Sequence, residues 1–240
     1  MSALLLAVRQ RCSLAAMAAT MLLAATLEQA AAAEEDERLL TWLQADRFEY
    51  HEDDGAVWDL QGWTGRDYGK LWWKTEGSRD ESRTDSFELQ LLYSRAISPY
   101  FDLQLGARHD LAPNPPRSYA VAGVQGLAPY WFEIDAAVFL SDAGDLSARI
   151  EVEYELLLTQ RLILQPRAEF NFSAQEVPAL DVERGLSSTA VGLRLRYELR
   201  PKFAPYVGVS WRNVRGGGAG QEFHTGGDGT SLVAGLRFWF

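Results

Sequence analysis

The stretch Gln125–Gln160, QGLAPYWFEIDAAVFLSDAGDLSARIEVEYELLLTQ, constrains the fold more than any other part of the chain. From Phe132 one parity is apolar (Phe132, Ile134, Ala136, Val138), while the other starts with Glu133 and Asp135. A short polar turn, Ser141 to Asp145, follows. The chain then returns with Ile150, Val152, Tyr154 and Leu156 alternating with Arg149, Glu151, Glu153 and Glu155. Period-two alternation over about ten residues specifies strands and not helices. One face carries acids and bases together; the other is an unbroken aliphatic and aromatic row. In a transmembrane β-barrel the apolar face meets lipid and the charged face lines the lumen.

The same pattern continues from Leu43 to Phe240. About twelve strands of the ~10-residue length that a tilted membrane strand needs are expected. They run near Leu43–Asp53, Ala56–Arg66, Gly69–Ser78, Thr84–Ala96, Tyr100–Leu111, Arg117–Leu127, Trp131–Leu140, Leu146–Leu157, Arg161–Phe172, Ser188–Leu199, Pro205–Asn213 and Thr230–Phe240. If some short runs are loop, the count falls to ten or eight. Tight connections such as Ser98-Pro99 and Ala128-Pro129 alternate with longer polar ones such as Ser173–Ser187 and Asn213–Gly229. Short periplasmic turns and long outer loops place both termini in the periplasm, which requires an even strand number. The fold class expected is an all-β, antiparallel, up-and-down transmembrane barrel.

Both ends of the chain agree with that class. Residues 1–33 read as a secretory signal: Arg9 and Arg11, an apolar run from Leu14 to Leu27, then Ala31-Ala32-Ala33 as a small-residue cleavage site. Residues 34–42 form a short acidic periplasmic lead, and residues 43–240 the barrel. Without the leader the chain has no Cys and needs no disulfide in an oxidising compartment. The chain ends LRFWF, with Leu232, Ala234, Leu236, Phe238 and Phe240 on one parity. Such an ending resembles the terminal strand by which the outer-membrane barrel assembly machinery recognises its clients, so Phe238 and Phe240 are assigned as the insertion signal. The competing reading is a core strand of a periplasmic β-sandwich.

The formal charge is −10; removing Arg9, Arg11 and Glu28 with the leader leaves 21 basic and 32 acidic residues. That balance argues against nucleic acid as a partner and favours cations in an acidic lumen. By parity the lumen receives Glu88, Arg108, Asp110, Glu133, Asp135, Arg149, Glu151, Glu153, Arg167, Glu169, Arg194, Arg196 and Arg237, among others. Charges of both signs at this density imply a salt-bridge network; the sharper alternative is a cation path. Candidate metal ligands are His51, His109 and His224 with Glu133, Asp135, Glu151 and Glu153. No two His share a ligand-type spacing. His51 falls on the lumen parity and His109 on the lipid parity near the outer rim, while His224 sits in a Gly-rich loop. No nucleophile elbow, P-loop or HExxH motif is present, so no catalytic residue is assigned. Ser94 or Ser210 with His109 is the one hydrolase arrangement the chain offers, and its spacing favours nothing.

Long ordered blocks of the chain resemble the copper-resistance outer-membrane protein B family. They are WDLQGWTGRDYGKLWWKTEG (Trp58 to Gly77), ELQLLYSRAISPYFDLQLGARHD (Glu88 to Asp110), QGLAPYWFEIDAAVF (Gln125 to Phe139), EYELLLTQRLILQPRAE (Glu153 to Glu169), GLRLRYELRPKFAPYVGVSW (Gly192 to Trp211) and GLRFWF (Gly235 to Phe240). The resemblance implies an outer-membrane barrel that binds copper or lets it leave the periplasm. It also implies a periplasmic multicopper oxidase as partner, or else a scaffold that recruits that oxidase. Relatives often carry a Met- and His-rich segment before the barrel, suited to soft copper(I) and to copper(II). Glu34–Leu40 has neither residue, which leaves the carboxylates and His of the barrel for copper.

Overall fold

A computed structural model describes residues 39–52, 55–66, 68–79, 84–215 and 229–240. The strands are β1 (Leu40–His51), β2 (Gly55–Gly65), β3 (Gly69–Arg79), β4 (Thr84–Ala96), β5 (Phe101–Ala112), β6 (Arg117–Ala128), β7 (Phe132–Ser141), β8 (Leu146–Glu153), β9 (Leu156–Leu157), β10 (Leu162–Ser173), β11 (Gly185–Tyr197), β12 (Phe203–Val214) and β13 (Gly229–Trp239). Each pairs antiparallel with its sequence neighbour, except that β8 and β9 are two pieces of one stave, both paired with β10. Pairing of β1 with β13 closes the sheet. The result is a twelve-stave barrel, as the alternation predicts. Among the described strands only the two-residue β9 lacks a second neighbour, so closure removes the long unpaired edges that a sheet in lipid cannot keep. No described helix is long and apolar enough to cross a membrane.

Burial runs opposite to that of a water-soluble sandwich. Glu49 and His51 are 4% and 1% exposed, whereas the intervening Tyr50 is 61% exposed. Leu232, Leu91, Leu140 and Val207 also face out. Charged side chains are inside and apolar ones outside on stave after stave, which rules out the β-sandwich and makes the outer surface a lipid-facing band. Two outward Trp rings are seated over glycines. A Cβ at Gly77 would stand 2.2 Å from the Trp58 ring, and one at Gly62 2.7 Å from the Trp73 ring.

Three local departures from regular alternation shape the interior. In β1, Ala45 pairs with Leu60 and Arg47 with Asp59, so Asp46 is an extra, bulged residue. A bulge shifts the phase of a strand: Trp42 and Gln44 point inward before it, and Arg47, Glu49 and His51 after it. The expected strand Leu146–Leu157 is broken at Tyr154–Glu155, and Pro166 is the physical reason. Register places Pro166 opposite Tyr154. Tyr154 N–H donates to the Pro166 carbonyl at 3.1 Å, but proline has no N–H to return. The break releases Glu155. Finally, the β10–β11 connection is partly built: Val177, Leu180 and Val182 form a small buried cluster around the short 3-10 turn Pro178–Leu180. The strand after it starts at Gly185, earlier than the expected Ser188, and Trp131 lies in a turn instead of opening β7.

Candidate functional site: the charged lumen

Register stacks the inward side chains into rows. Asp59, Glu76, Glu88 and Asp110 are consecutive cross-strand partners over β2 to β5, with Arg47 beside Asp59 and Arg117 beside Asp110. Four carboxylates in line repel one another. Arginines from this row, from other rows and from distant staves offset that repulsion. Arg47 bonds Asp59 at 3.0 Å and stands 4.0 Å from Glu76. Arg149 reaches from β8 to Glu76 at 3.6 Å and to Glu88 at 3.0 Å. Arg108 contacts Glu88 at 3.3 Å and Asp110 at 2.7 Å.

Several of these pairs are chords across the lumen. Lys74 on β3 bonds Asp135 on β7 at 2.6 Å. Arg194 on β11 forms a two-pronged contact with Glu49 on β1, at 3.0 and 2.8 Å. Glu155, freed by the break opposite Pro166, accepts from Arg196 and from Arg237, each at 2.8 Å. Arg237 also holds the bulged Asp46 at 3.0 Å. Arg167 bonds Glu151 and stands 3.4 Å from Glu169. Charges removed from water at this depth are tolerated because they meet opposite partners, in forked geometry at Arg108–Asp110 and Arg194–Glu49. The lumen is therefore spanned by ion pairs, the network expected from parity. Asp46 and Glu76 are central to it. Asp46 escapes a strict period-two reading because it is the bulge residue.

The interior also has an apolar belt. Trp42, Trp63, Trp72, Leu92, Gly106, Val121 and Phe139 follow one another along a single register row from β1 to β7, and most of them belong to one buried cluster. Cations lie on these rings: Arg108 is 4.8 Å from the centroids of Tyr119 and Phe139, Arg149 5.4 Å from Phe139, and Lys74 5.8 Å from Trp72. Stacking of this kind adds about 0.5–2 kcal/mol per contact. Two cavities lie in this half of the lumen. An outer one of about 70 Å³ runs between Arg108, Tyr119 and Phe139 and the Val177–Leu180–Val182 cluster. A central one of about 30 Å³ is bounded by Lys74, Glu76, Asp135, Phe139, Arg149 and Glu151.

The candidate metal ligands are only partly assembled. Glu133 pairs in register with Glu153, and Asp135 with Glu151, so these four carboxylates form one block on the lumen face of β7 and β8. Three of them are committed: Asp135 to Lys74, Glu151 to Arg167, and Glu153 to Gln165 with Arg237 at 3.9 Å. His51 is buried inside, with Nε2 3.1 Å from Glu49 and Nδ1 3.5 Å from Ser231. His109 is on the lipid face, 2.9 Å from Ser118 Oγ. His224 lies outside the described residues. Among the described residues no group of three or more His, Cys, Asp or Glu is placed to hold a metal ion. Ser94 and Ser210 point into the lumen while His109 points out, so they build no hydrolase site.

The family model described as "Copper resistance protein B precursor (CopB)" matches residues 39–240. The copper resistance protein B homolog of Pseudomonas syringae pv. tomato is 41% identical over 210 residues, covering 85% of this chain and 71% of that protein. Copper resistance protein B of Escherichia coli is also 41% identical, over 200 residues, covering 81% and 68%. Among solved structures, the NanC porin superposes with a TM-score of 0.55 at 13% identity, over 82% of this chain and 98% of the porin; that likeness is one of fold. Family and fold together point to a non-enzymatic protein of the outer membrane. A barrel with this charged interior, matched along its whole length by the copper-resistance model, belongs to the copper resistance protein B family.

Proposed function

We propose that this barrel lowers the copper load of the periplasm by giving copper a low-affinity, acidic route out through its lumen, in concert with a periplasmic multicopper oxidase. The observation that carries the reading is the carboxylate block Glu133, Asp135, Glu151 and Glu153 on one lumen wall, within a family whose relatives are named for copper resistance. An acid-rich passage concentrates cations. Carboxylates with isolated His suit transient contact with copper(II) better than tight capture. Residues 1–33 are the cleaved secretory signal, residues 34–42 the periplasmic lead, and Phe238 and Phe240 the residues read by the assembly machinery. In a deletion strain challenged with copper, periplasmic copper rises, and the full chain restores the lower level. Unchanged periplasmic copper in that strain contradicts the proposal.

A second reading is favoured by the chords that span the lumen, Lys74–Asp135 and Arg194–Glu49 among them. In it the barrel is a scaffold that recruits the oxidase and carries no copper itself. Oxidase capture that is lost when residues 34–40 are removed supports the scaffold, and undiminished capture argues against recruitment through the lead.

A further inference from the structure

The outer and central cavities share one lining residue, Phe139. Two guanidinium groups lie against its ring. Arg108, which lines the outer cavity, lies 4.8 Å from its centroid, and Arg149, which lines the central one, lies 5.4 Å from it. Glu88, 3% exposed, ties the two guanidiniums together through a single oxygen, at 3.3 Å from Arg108 and 3.0 Å from Arg149. The ring therefore stands beside two cations that one carboxylate bridges, each with a further carboxylate of its own, Asp110 for Arg108 and Glu76 for Arg149. Cross-strand packing against Val121 fixes it.

We infer that Phe139, flanked by Arg108, Arg149 and Glu88, is the constriction that separates an outer from a central chamber of the lumen and sets which ions pass between them. The inference rests on the lumen being a route across the membrane. An aromatic ring at a narrow point excludes hydrated ions. Glu88, with Asp110 and Glu76, offsets the charge of the flanking arginines, so the same cluster governs both size and sign.

The test uses the full mature chain folded into planar bilayers in potassium chloride, without copper. Phe139→Ala joins the two cavities and raises single-channel conductance severalfold, and Phe139→Tyr returns it to the wild-type level. Glu88→Gln leaves the ring but removes the shared counter-charge, so the reversal potential under a salt gradient shifts toward chloride. Should Phe139→Ala not fold, Phe139→Val removes the ring while keeping a strand-favouring side chain. Wild-type conductance in a ring-less variant that still shows the heat-modifiable mobility of a folded barrel overturns the inference, as does an unmoved reversal potential in Glu88→Gln. Copper flux separates this result from the broader reading. Opening to potassium without passage of copper keeps the constriction and rejects the route for copper. Copper flux that is the same with and without the ring keeps the route and rejects the constriction.

Discussion

Arg149 and Arg117 show how differently two lumen arginines act. Arg149 bridges Glu76 and Glu88, and all three side chains are buried. Arg117 bonds Asp145 at the outer rim, where the carboxylate is 26% exposed. Removing one partner of a buried network strands the others without compensation and costs about 3–5 kcal/mol. Breaking a rim pair costs about 0–1 kcal/mol. Arg149→Ala is therefore expected to lower the urea midpoint of the folded barrel strongly, and Arg117→Ala hardly at all; equal shifts contradict this account. At this scale the facing of the charged residues on regular strands was legible. Parity alone sends Arg149, Arg167, Glu151 and Glu169 inward, and they point inward. Partner choice was not legible, because a flexible arginine reaches staves far around the barrel, as Arg149 on β8 reaches Glu76 on β3. The apolar belt was missed for a related reason. Trp72, Leu92, Val121 and Phe139 look like misplaced lipid-facing residues until register aligns them in one row.

Single residues also decide how elements run. The extra Asp46 lets β1 change phase between Gln44 and Arg47 without turning its later residues to lipid. Deleting Asp46 leaves Ala45 next to Arg47 and keeps both halves in phase, at the loss of the pair with Arg237. Deleting Asp59 from the regular β2 flips one half of that strand and turns lumen side chains toward lipid. The Asp46 deletion is expected to yield a heat-modifiable barrel on gels and the Asp59 deletion an unfolded band; the same result for both refutes the bulge assignment. Strand number and order were legible because strand length, turn chemistry and alternation agree. The break at Tyr154–Glu155 was not. Pro166 stands in plain view, but which N–H its ring removes from the ladder depends on register, and a single chain does not display register.

On the scale of the whole molecule, the barrel turns an ordinary protein inside out: apolar rows face lipid and a paired charge network fills the interior. Its outline needed only the period of the chain, a signal-like start and an aromatic end. Its occupancy needed coordinates, since chords such as Lys74–Asp135 decide whether the lumen is open space. Family membership supplies copper resistance, and the proposed route rests on the acidic wall of β7 and β8. These points meet in one measurement, copper(II) entry into liposomes carrying the folded mature chain, with zinc as the competing ion. The account predicts copper entry above that of empty liposomes, preferred over zinc and reduced when Glu133 and Asp135 are both changed to Gln. Entry no faster than into empty liposomes contradicts it, and leaves the barrel as a filled scaffold.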